Sequence, residues 1–234
     1  MKTIIINPMK NKIRIIYSLI YFNLIHKRKL NRTVTEKINE FTFTVYPSVF
    51  NPKDYYSSVI IAEFISRLIN INNKLLLDMG CGSGIISIFA ASSGALCTAV
   101  DKNPESVKCA KHNAVQNKLA NKIVTVESDL FENLKYDNVY DIITFNPPYY
   151  KGEPANNFEM AFKGGENLEI IQRFFENGGK YLSDNGVIYL ITSSDSNLSL
   201  TEEIIKTNNF KYEVVLKEKR FFESFYIYRI SDIK

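Results

Sequence analysis

The spacing of apolar positions changes near residue 74, and this change predicts the fold. Before it, residues 41–46 alternate as a strand or hairpin arm would, and 55–69 carry apolar residues at helical spacing. After it, short apolar strands are predicted near 75–78, 96–101, 123–127, 140–145, 187–192, 212–217 and 222–230. Helices are predicted between them, near 84–93, 104–118, 166–182 and 198–207.

Alternation of strands and helices predicts an α/β fold, with a doubly wound and mostly parallel sheet of seven strands. The last two strands are separated only by residues 218–221, so we expect them to pair as a hairpin and add an antiparallel C-terminal edge. A segment rich in Asn, Gly and charge, 151–165, is the best candidate for a mobile loop over a site.

Positive charge is concentrated at the N-terminus. Residues 1–40 contain nine Lys or Arg against two Glu, a net charge of +7, whereas the whole chain of 234 residues carries +4. Apolar residues recur at helical spacing within 13–25, so we predict a short basic helical extension over 1–45 and one domain over 46–234. The helix either packs on that domain or acts as a basic arm that contacts nucleic acid.

Three cysteines without paired spacing argue against a disulfide framework and a zinc site, and favour the reducing cytoplasm. The apolar stretch 13–25 contains Arg14 and is too short to cross a bilayer, so no membrane span is predicted. The composition, with 45% hydrophobic and 23% charged residues, is that of a globular protein.

A glycine-rich turn follows the strand predicted at 75–78. Gly80, Gly82 and Gly84 allow the backbone to turn tightly and approach a ligand, and Cys81 between them is read as a small space-filling residue. The carboxyl end of a parallel strand is the usual place for a ligand. The spacing is G-x-G-x-G rather than the dinucleotide G-x-G-x-x-G, and Asp78 would disfavour a pyrophosphate but suit a cationic amino group.

Acids also end the next two strands. Asp101 can accept hydrogen bonds from both hydroxyls of a ribose, or else serve as an acid at the start of the following helix. Asp129 ends the third strand and could accept from an adenine amino group. The residues directly after these acids, Lys102 and Leu130, complete the predicted cofactor-binding set on these strands.

The fourth strand ends in Asn146, Pro147, Pro148 and Tyr149. Proline offers no N–H to a sheet, so the chain must leave the sheet here with a fixed backbone. The Asn146 side-chain oxygen and the Pro147 carbonyl could then grip a planar –NH2 group, with Tyr149 stacked on it. We therefore predict these four residues to be catalytic and Asn146 to border the cofactor as well, as part of the cofactor-binding set; the alternative is a rigid turn that merely closes the strand.

These motifs resemble the class I S-adenosylmethionine-dependent methyltransferases over roughly 45–230. The resemblance implies S-adenosylmethionine as cofactor, with Asp78 and the glycines at its methionine end, Asp101 at the ribose and Asp129 at the adenine. In that family, Asn-Pro-Pro-Tyr after the fourth strand marks enzymes that methylate planar amino groups. These are glutamine side chains, in the release-factor enzymes of HemK type, or exocyclic amines in nucleic acid.

Two softer similarities extend the resemblance. Phe50 and the two residues after it resemble the segment that packs over the cofactor, and 162–167 resembles the Gly-Gly segment that opens the following helix. One departure is that bacterial release-factor enzymes carry a sizeable helical domain before the catalytic one, for which about forty residues are too few.

The expected function is therefore S-adenosylmethionine-dependent N-methylation of a protein glutamine amide or of an RNA base. A small-molecule amine is an alternative acceptor. A nicotinamide-dependent oxidoreductase would also place Asp101 on a ribose, but the glycine spacing and the lack of a proton-relay residue disfavour it. A non-catalytic binding module is disfavoured because Asp78, Asp101, Asp129 and Asn146 are all present.

Overall fold

The structure, a computed structural model, describes residues 32–137, 139–150, 152–153, 159, 162–221 and 223–233. The helix predicted within 13–25 and most of the predicted loop 151–165 lie outside these residues.

Strands and helices alternate along the described chain from residue 75 onward, as the apolar spacing predicts. In chain order the elements are β1 Val34–Ile38, β2 Phe41–Val45, α1 Tyr56–Ser66, β3 Leu75–Met79, α2 Ile85–Ser92, β4 Leu96–Asp101, α3 Pro104–Gln116, β5 Ile123–Glu127, β6 Tyr140–Phe145, α4 Glu169–Gly178, β7 Leu182–Ser193, α5 Leu198–Thr207, β8 Phe210–Arg220 and β9 Glu223–Asp232. A 3-10 turn, Gly179–Tyr181, joins α4 to β7, so the helix predicted over 166–182 is shorter than expected.

Seven of the strands form one sheet in the order β5-β4-β3-β6-β7-β9-β8. The first five are parallel to one another, whereas β9 runs antiparallel to both β7 and β8. The predicted fold class is thus confirmed, including the closing hairpin. The strand order reverses at β3, which pairs with β4 on one side and β6 on the other, and a crevice opens at such a point beyond the strand ends.

Alternate side chains of the sheet enter two separate hydrophobic cores. Leu76 and Ile142 pack in the core beneath α1, α2 and α3, while Leu77 and Ile143 pack in the core beneath α4 and α5. Burying one such side chain contributes about 1.5–3 kcal/mol. Because both faces are covered, the central strands are held rigidly and their carboxyl ends are fixed relative to one another.

The hairpin of β1 and β2 forms a second sheet of two strands. The strand β1 was not predicted, because its inward positions are Glu36 and Ile38 and the charge of Glu36 hides the alternation. That carboxylate is buried but satisfied: it accepts from the Asn51 amide at 3.2 Å and pairs with Lys53 at 2.9 Å. The division of the chain at residue 45 stays a prediction.

Two asparagines hold the free edge of β2, Asn113 within α3 and Asn117 directly after the end of that helix. The Asn113 side chain accepts from the Thr44 N–H at 2.8 Å and donates to its carbonyl at 3.0 Å. Asn117 does the same with Thr42, at 3.1 and 2.8 Å. The Asn113 amide also donates to the Ser83 carbonyl at 2.9 Å, which links the hairpin to the glycine turn.

Candidate active site

A cavity of about 830 Å³ lies at the carboxyl ends of the central strands. Twelve of the residues predicted for the site line it: Phe50, Gly80, Cys81, Gly82, Asp101, Lys102, Asp129, Leu130, Asn146, Pro147, Pro148 and Tyr149. Two others, Asp78 and Gly84, do not line it. The strand ends therefore bring the predicted cofactor and catalytic residues into one space, which is large enough for a nucleoside and an acceptor group.

The glycine turn is shaped by backbone conformations that only glycine adopts readily. Gly80 and Gly82 have φ values of 70° and 53°, in the left-handed region. The Gly82 N–H donates to the Asp101 carboxylate at 2.9 Å, and the Cys81 N–H donates to the Val100 carbonyl at 2.8 Å. Burial raises the pKa of the Cys81 thiol, so this thiol is neutral.

Asp78 lies behind the glycine turn rather than in the cavity. Its carboxylate accepts from the Ser87 N–H at 3.1 Å, from the Ser87 hydroxyl at 2.6 Å and from the Thr144 hydroxyl at 3.3 Å. Burial, opposed by these bonds, raises the pKa of this fully buried carboxyl to about 6. The group thus fastens β3 to α2 and β6, and the structure gives it a role in shaping the turn, without direct contact with the cavity.

Gly84 also serves packing. Its φ is 79°, and a Cβ there would lie 3.0 Å from the Cβ of Ala110 on α3. Only glycine lets the start of α2 approach α3 this closely. The third glycine of the motif therefore sets the position of the helix, while the first two border the cavity.

Asp101 is the carboxylate of the cavity wall. Its oxygens accept from the backbone N–H groups of Gly82 at 2.9 Å and Asn103 at 2.8 Å. Burial raises its pKa despite these bonds. The Ser106 side chain and the Lys102 backbone also hydrogen-bond this carboxylate, so it is fixed in the cavity wall at the position predicted to meet the hydroxyls of a sugar.

A charged cluster borders the neighbouring part of the cavity. Asp129 accepts from the Lys102 ammonium at 2.6 Å and pairs with the Arg173 guanidinium at 3.4 Å. Partial burial opposes ionisation of Asp129, but the hydrogen bond from Lys102 and the charge of Arg173 outweigh it and hold its pKa below the usual value. Asp129 is therefore an ionised acceptor at the end of β5.

Three aromatic rings line the cavity above the glycine turn. The ring centroids of Phe50 and Tyr55 are 4.4 Å apart, and Phe162 lies 5.3 and 4.8 Å from them. A Cβ on Gly82 would lie 3.9 Å from that of Phe50, which places Phe50 directly over the turn. The rings give this part of the cavity an apolar wall against which a thioether or a nucleoside can pack.

The Asn146 side chain is oriented by two serines of α1. Its amide nitrogen donates to the hydroxyls of Ser58 at 2.9 Å and Ser57 at 3.2 Å. Both serines are buried, with 2% of Ser57 and 6% of Ser58 exposed. No described residue donates to the Asn146 side-chain oxygen, so that oxygen remains an available acceptor in the cavity wall.

The prolines and tyrosines complete this end of the cavity. No described residue donates to the Pro147 carbonyl, whereas the Pro148 carbonyl is covered by Gly164, at which a Cβ would lie only 2.1 Å from it. Tyr149 is buried and hydrogen-bonds the Ser57 side chain, and burial raises its pKa. The neutral Tyr150 hydroxyl donates to Glu223 at 3.4 Å.

Several residues of the cavity were not predicted from the sequence. Ser57 and Ser58 lie in a helix more than eighty residues before Asn146, and Tyr55 precedes them. Arg173 reaches the cavity from α4. The available signal was the two adjacent serines before the apolar run 59–62, since hydroxyls that are buried at the start of such a helix need partners.

Neither a metal centre nor a membrane span is found within the ranges that the structure describes. These residues contain no group of three His, Cys, Asp or Glu side chains placed to hold a metal ion. Their helices include none of the length and apolarity needed to cross a membrane.

The fold is that of the class I methyltransferases. Its marks are the strand order, the antiparallel closing strand, and a cavity bordered by a glycine turn and by acids at the strand ends. Residues 40–223 match the family described as Methyltransferase small domain. The chain belongs to this family. The predictions of a methyltransferase and of S-adenosylmethionine as its cofactor are thereby confirmed.

Named relatives and solved structures extend this result. A protein of Methanocaldococcus jannaschii, whose name assigns it provisionally as a protein N5-glutamine methyltransferase, is 35% identical over 80% of this chain and 93% of its own length. The release factor glutamine methyltransferase of Fusobacterium nucleatum is 28% identical over 69% of this chain, but this match covers only 49% of that enzyme. The 16S rRNA N2 G1207 methyltransferase of Thermus thermophilus, solved with AdoMet and guanosine, has a TM-score of 0.64 at 22% identity, over 86% of this chain and 50% of that one.

Proposed function

We propose that this protein methylates the side-chain amide nitrogen of a glutamine in another protein. The observation that carries the proposal is the orientation of Asn146, whose amide nitrogen is held by Ser57 and Ser58 while its oxygen stays available in the cavity wall. The names of the relatives from Methanocaldococcus jannaschii and Fusobacterium nucleatum, both glutamine methyltransferases, support the choice of acceptor.

The chemical difficulty lies in the acceptor nitrogen. The lone pair of an amide nitrogen is delocalised into its carbonyl, so the nitrogen is a poor nucleophile. Two oxygens that accept its two hydrogens, those of Asn146 and Pro147, would favour a more tetrahedral nitrogen with a localised lone pair. Fixing a reactant in this way can lower a barrier by as much as about 7–11 kcal/mol in favourable cases.

The residues of the cavity fit S-adenosylmethionine. The glycine turn presents no Cβ to the cavity at Gly80 and Gly82, and Asp101 offers fixed acceptors for hydroxyls. Bound S-adenosylmethionine would supply an electrophilic methyl group. The aromatic wall of Phe50, Tyr55 and Phe162 would exclude water from it.

The transfer needs no strong base in the protein. As the amide nitrogen bonded to the methyl carbon, the bond from that carbon to the cofactor sulfur would break, and its electron pair would stay on the sulfur of the departing S-adenosylhomocysteine. The nitrogen would then lose one of its protons, which can pass to solvent. Tyr149 and Tyr150 are neutral, because burial raises the pKa of both, so they act as hydrogen-bonding groups and not as bases. This agrees with a site that positions an uncharged amide rather than deprotonating it.

Charged groups of both signs border the acceptor end of the cavity, among them Lys163, whose ammonium donates to the Glu153 carbonyl at 3.3 Å. Glu153 lines the cavity, and Glu223 accepts from Tyr150 beside it. An RNA base and a small-molecule amine remain the alternatives to be tested. Contact of residues 1–40 with nucleic acid is a separate prediction, and we place the protein in the cytoplasm on the strength of its three free thiols.

The test is transfer of a labelled methyl group into separated protein, RNA and metabolite fractions of the organism that encodes the chain. We expect label in protein, recovered as N5-methylglutamine. In Asn146→Ala we expect the rate to fall by about 100-fold or more, as when a fixed polar group is removed from a transition-state site. The affinity for S-adenosylmethionine, measured by calorimetry, should stay within about twofold, since Asn146 is assigned to the acceptor.

Asn177→Ala is the matched control. Asn177 is half-buried on α4, where its amide nitrogen donates to the Arg173 carbonyl at 3.3 Å and its amide oxygen accepts from the Lys180 ammonium at 3.0 Å, so neither of these bonds joins it to the acceptor site. Its loss should leave the transfer rate unchanged. Label that appears in RNA or metabolites instead of protein, or an Asn146→Ala protein with full activity, would refute the proposed function.

A further inference from the structure

An aromatic pair is exposed to solvent at the tip of the closing hairpin. Phe221 is 76% exposed and Tyr56, at the start of α1, is 41% exposed, with their ring centroids 6.0 Å apart. The Arg220 guanidinium lies 5.9 Å from the centre of the Tyr56 ring. We call these three residues the tip patch. Exposed aromatic rings that contact each other instead of the core leave apolar surface for a partner.

The backbone of the patch is strained. Phe221 has a φ of 47°, a left-handed conformation that is uncommon for a bulky side chain. Phe221 lies in the turn between Arg220 and Glu223, the last residue pair of β8 and β9. Tight hairpin turns favour Asn or Gly at such a position. A phenylalanine in this position costs stability and adds nothing to the core. Such strain is typical of residues kept for binding.

The tip patch adjoins the acceptor end of the cavity. Tyr56 lies between Tyr55 and Ser57, which both line the cavity. On the other side, Tyr150 lines the cavity and donates to Glu223, the cross-strand partner of Arg220. A molecule that places one group beside Asn146 therefore meets the patch as it leaves the cavity.

We propose that the tip patch binds the polypeptide segment that flanks the acceptor glutamine, an inference that rests on the proposed function. Aromatic and arginine side chains supply much of the binding energy at protein interfaces. The Arg220 charge is balanced by its ion pair with Glu218 and by Glu223 opposite, so the patch has no excess positive charge for a phosphate backbone. The chemistry fits a polypeptide better than a nucleic acid.

The test compares steady-state methylation of a full-length release factor, from the organism that encodes this chain, by the wild type and by Phe221→Ala. We expect KM for the release factor to rise about tenfold, with kcat and the affinity for S-adenosylmethionine unchanged. A free glutamine tripeptide, too short to reach the patch, should be methylated equally by both proteins. Tyr56→Ala should act in the same direction on KM.

Val124→Ala is the control, because Val124 is also a largely exposed apolar residue (64%) and lies on β5, at the opposite edge of the sheet. It should leave KM unchanged. An unchanged KM in Phe221→Ala, or an equal rise of KM in Val124→Ala, overturns the inference. The proposed function still holds in that case if the wild type methylates the release factor. If the wild type methylates RNA and not the release factor, the proposed function fails and the inference fails with it.

Discussion

Removal of the hydroxyls that hold Asn146 is the sharpest test of how this site works. Ser57 and Ser58 each accept one hydrogen bond from the Asn146 amide nitrogen, at 3.2 and 2.9 Å. With both in place, the side-chain oxygen faces the cavity. Without them, the amide can rotate and present its nitrogen, which would repel the hydrogens of an acceptor –NH2 group.

The expected magnitude follows from the number of bonds. One hydrogen bond contributes about 0.5–1.5 kcal/mol, and each 1.36 kcal/mol changes a rate tenfold. Ser58→Ala should therefore lower kcat about two- to tenfold, and the double alanine variant about five- to a hundredfold. The affinity for S-adenosylmethionine should not change, because neither hydroxyl is assigned to the cofactor.

The assay is single-turnover methyl transfer at saturating S-adenosylmethionine, with binding of the cofactor measured separately by calorimetry. Ser66→Ala is the control, since Ser66 ends the same helix and its hydroxyl donates only to the Glu63 carbonyl. Full kcat in the double variant would refute the reasoning. So would a parallel loss of cofactor affinity, since that would show a general collapse of α1 rather than a misoriented amide.

Two further predictions concern stability. Burial raises the pKa of Asp78 from 3.8 to about 6, so the folded state binds the Asp78 proton more tightly than the unfolded state does. The stability that this proton adds to the fold is complete below pH 4 and is lost as the pH rises through 6. Relative to Asp78→Asn, the wild type should lose about 3 kcal/mol of its free energy of unfolding over this range. Urea unfolding of both proteins from pH 4 to 7 checks this, and parallel curves would contradict it. Gly84→Ala should lower the free energy of unfolding by about 1–3 kcal/mol, because the new Cβ lies 3.0 Å from that of Ala110. Gly82→Ala, whose Cβ meets nothing closer than 3.9 Å, should cost less, and equal melting temperatures for the two variants would be inconsistent with this packing.

The sequence predicts this fold well because the sheet is built from local signals. Each of the four runs predicted as strands within 75–145 is a strand in the structure, and each strand-end motif lies where a parallel strand stops. Parallel pairing of β3 with β6 then brings Asn146 beside the glycine turn without further information. The cavity could therefore be located from strand ends alone.

Other features depend on contacts between distant segments and could not be predicted. The direction of the Asp78 carboxylate is decided by Ser87 and Thr144, one on a following helix and one on a neighbouring strand. The partners of Asn146 come from α1, about ninety positions earlier. The strand β1 escaped prediction because Glu36 faces inward, where its charge is paired.

The side-chain clamp of Asn113 and Asn117 on β2 has a consequence for protein engineering. An exposed strand edge can pair with a strand of a second molecule. Here the backbone N–H and carbonyl groups of Thr42 and Thr44 are already bonded to the side-chain amides of Asn117 and Asn113. A strand-forming peptide fused before β1 could not add to the β2 edge at Thr42 and Thr44. We therefore expect tags or reporter domains fused at that end not to cause oligomers through this edge.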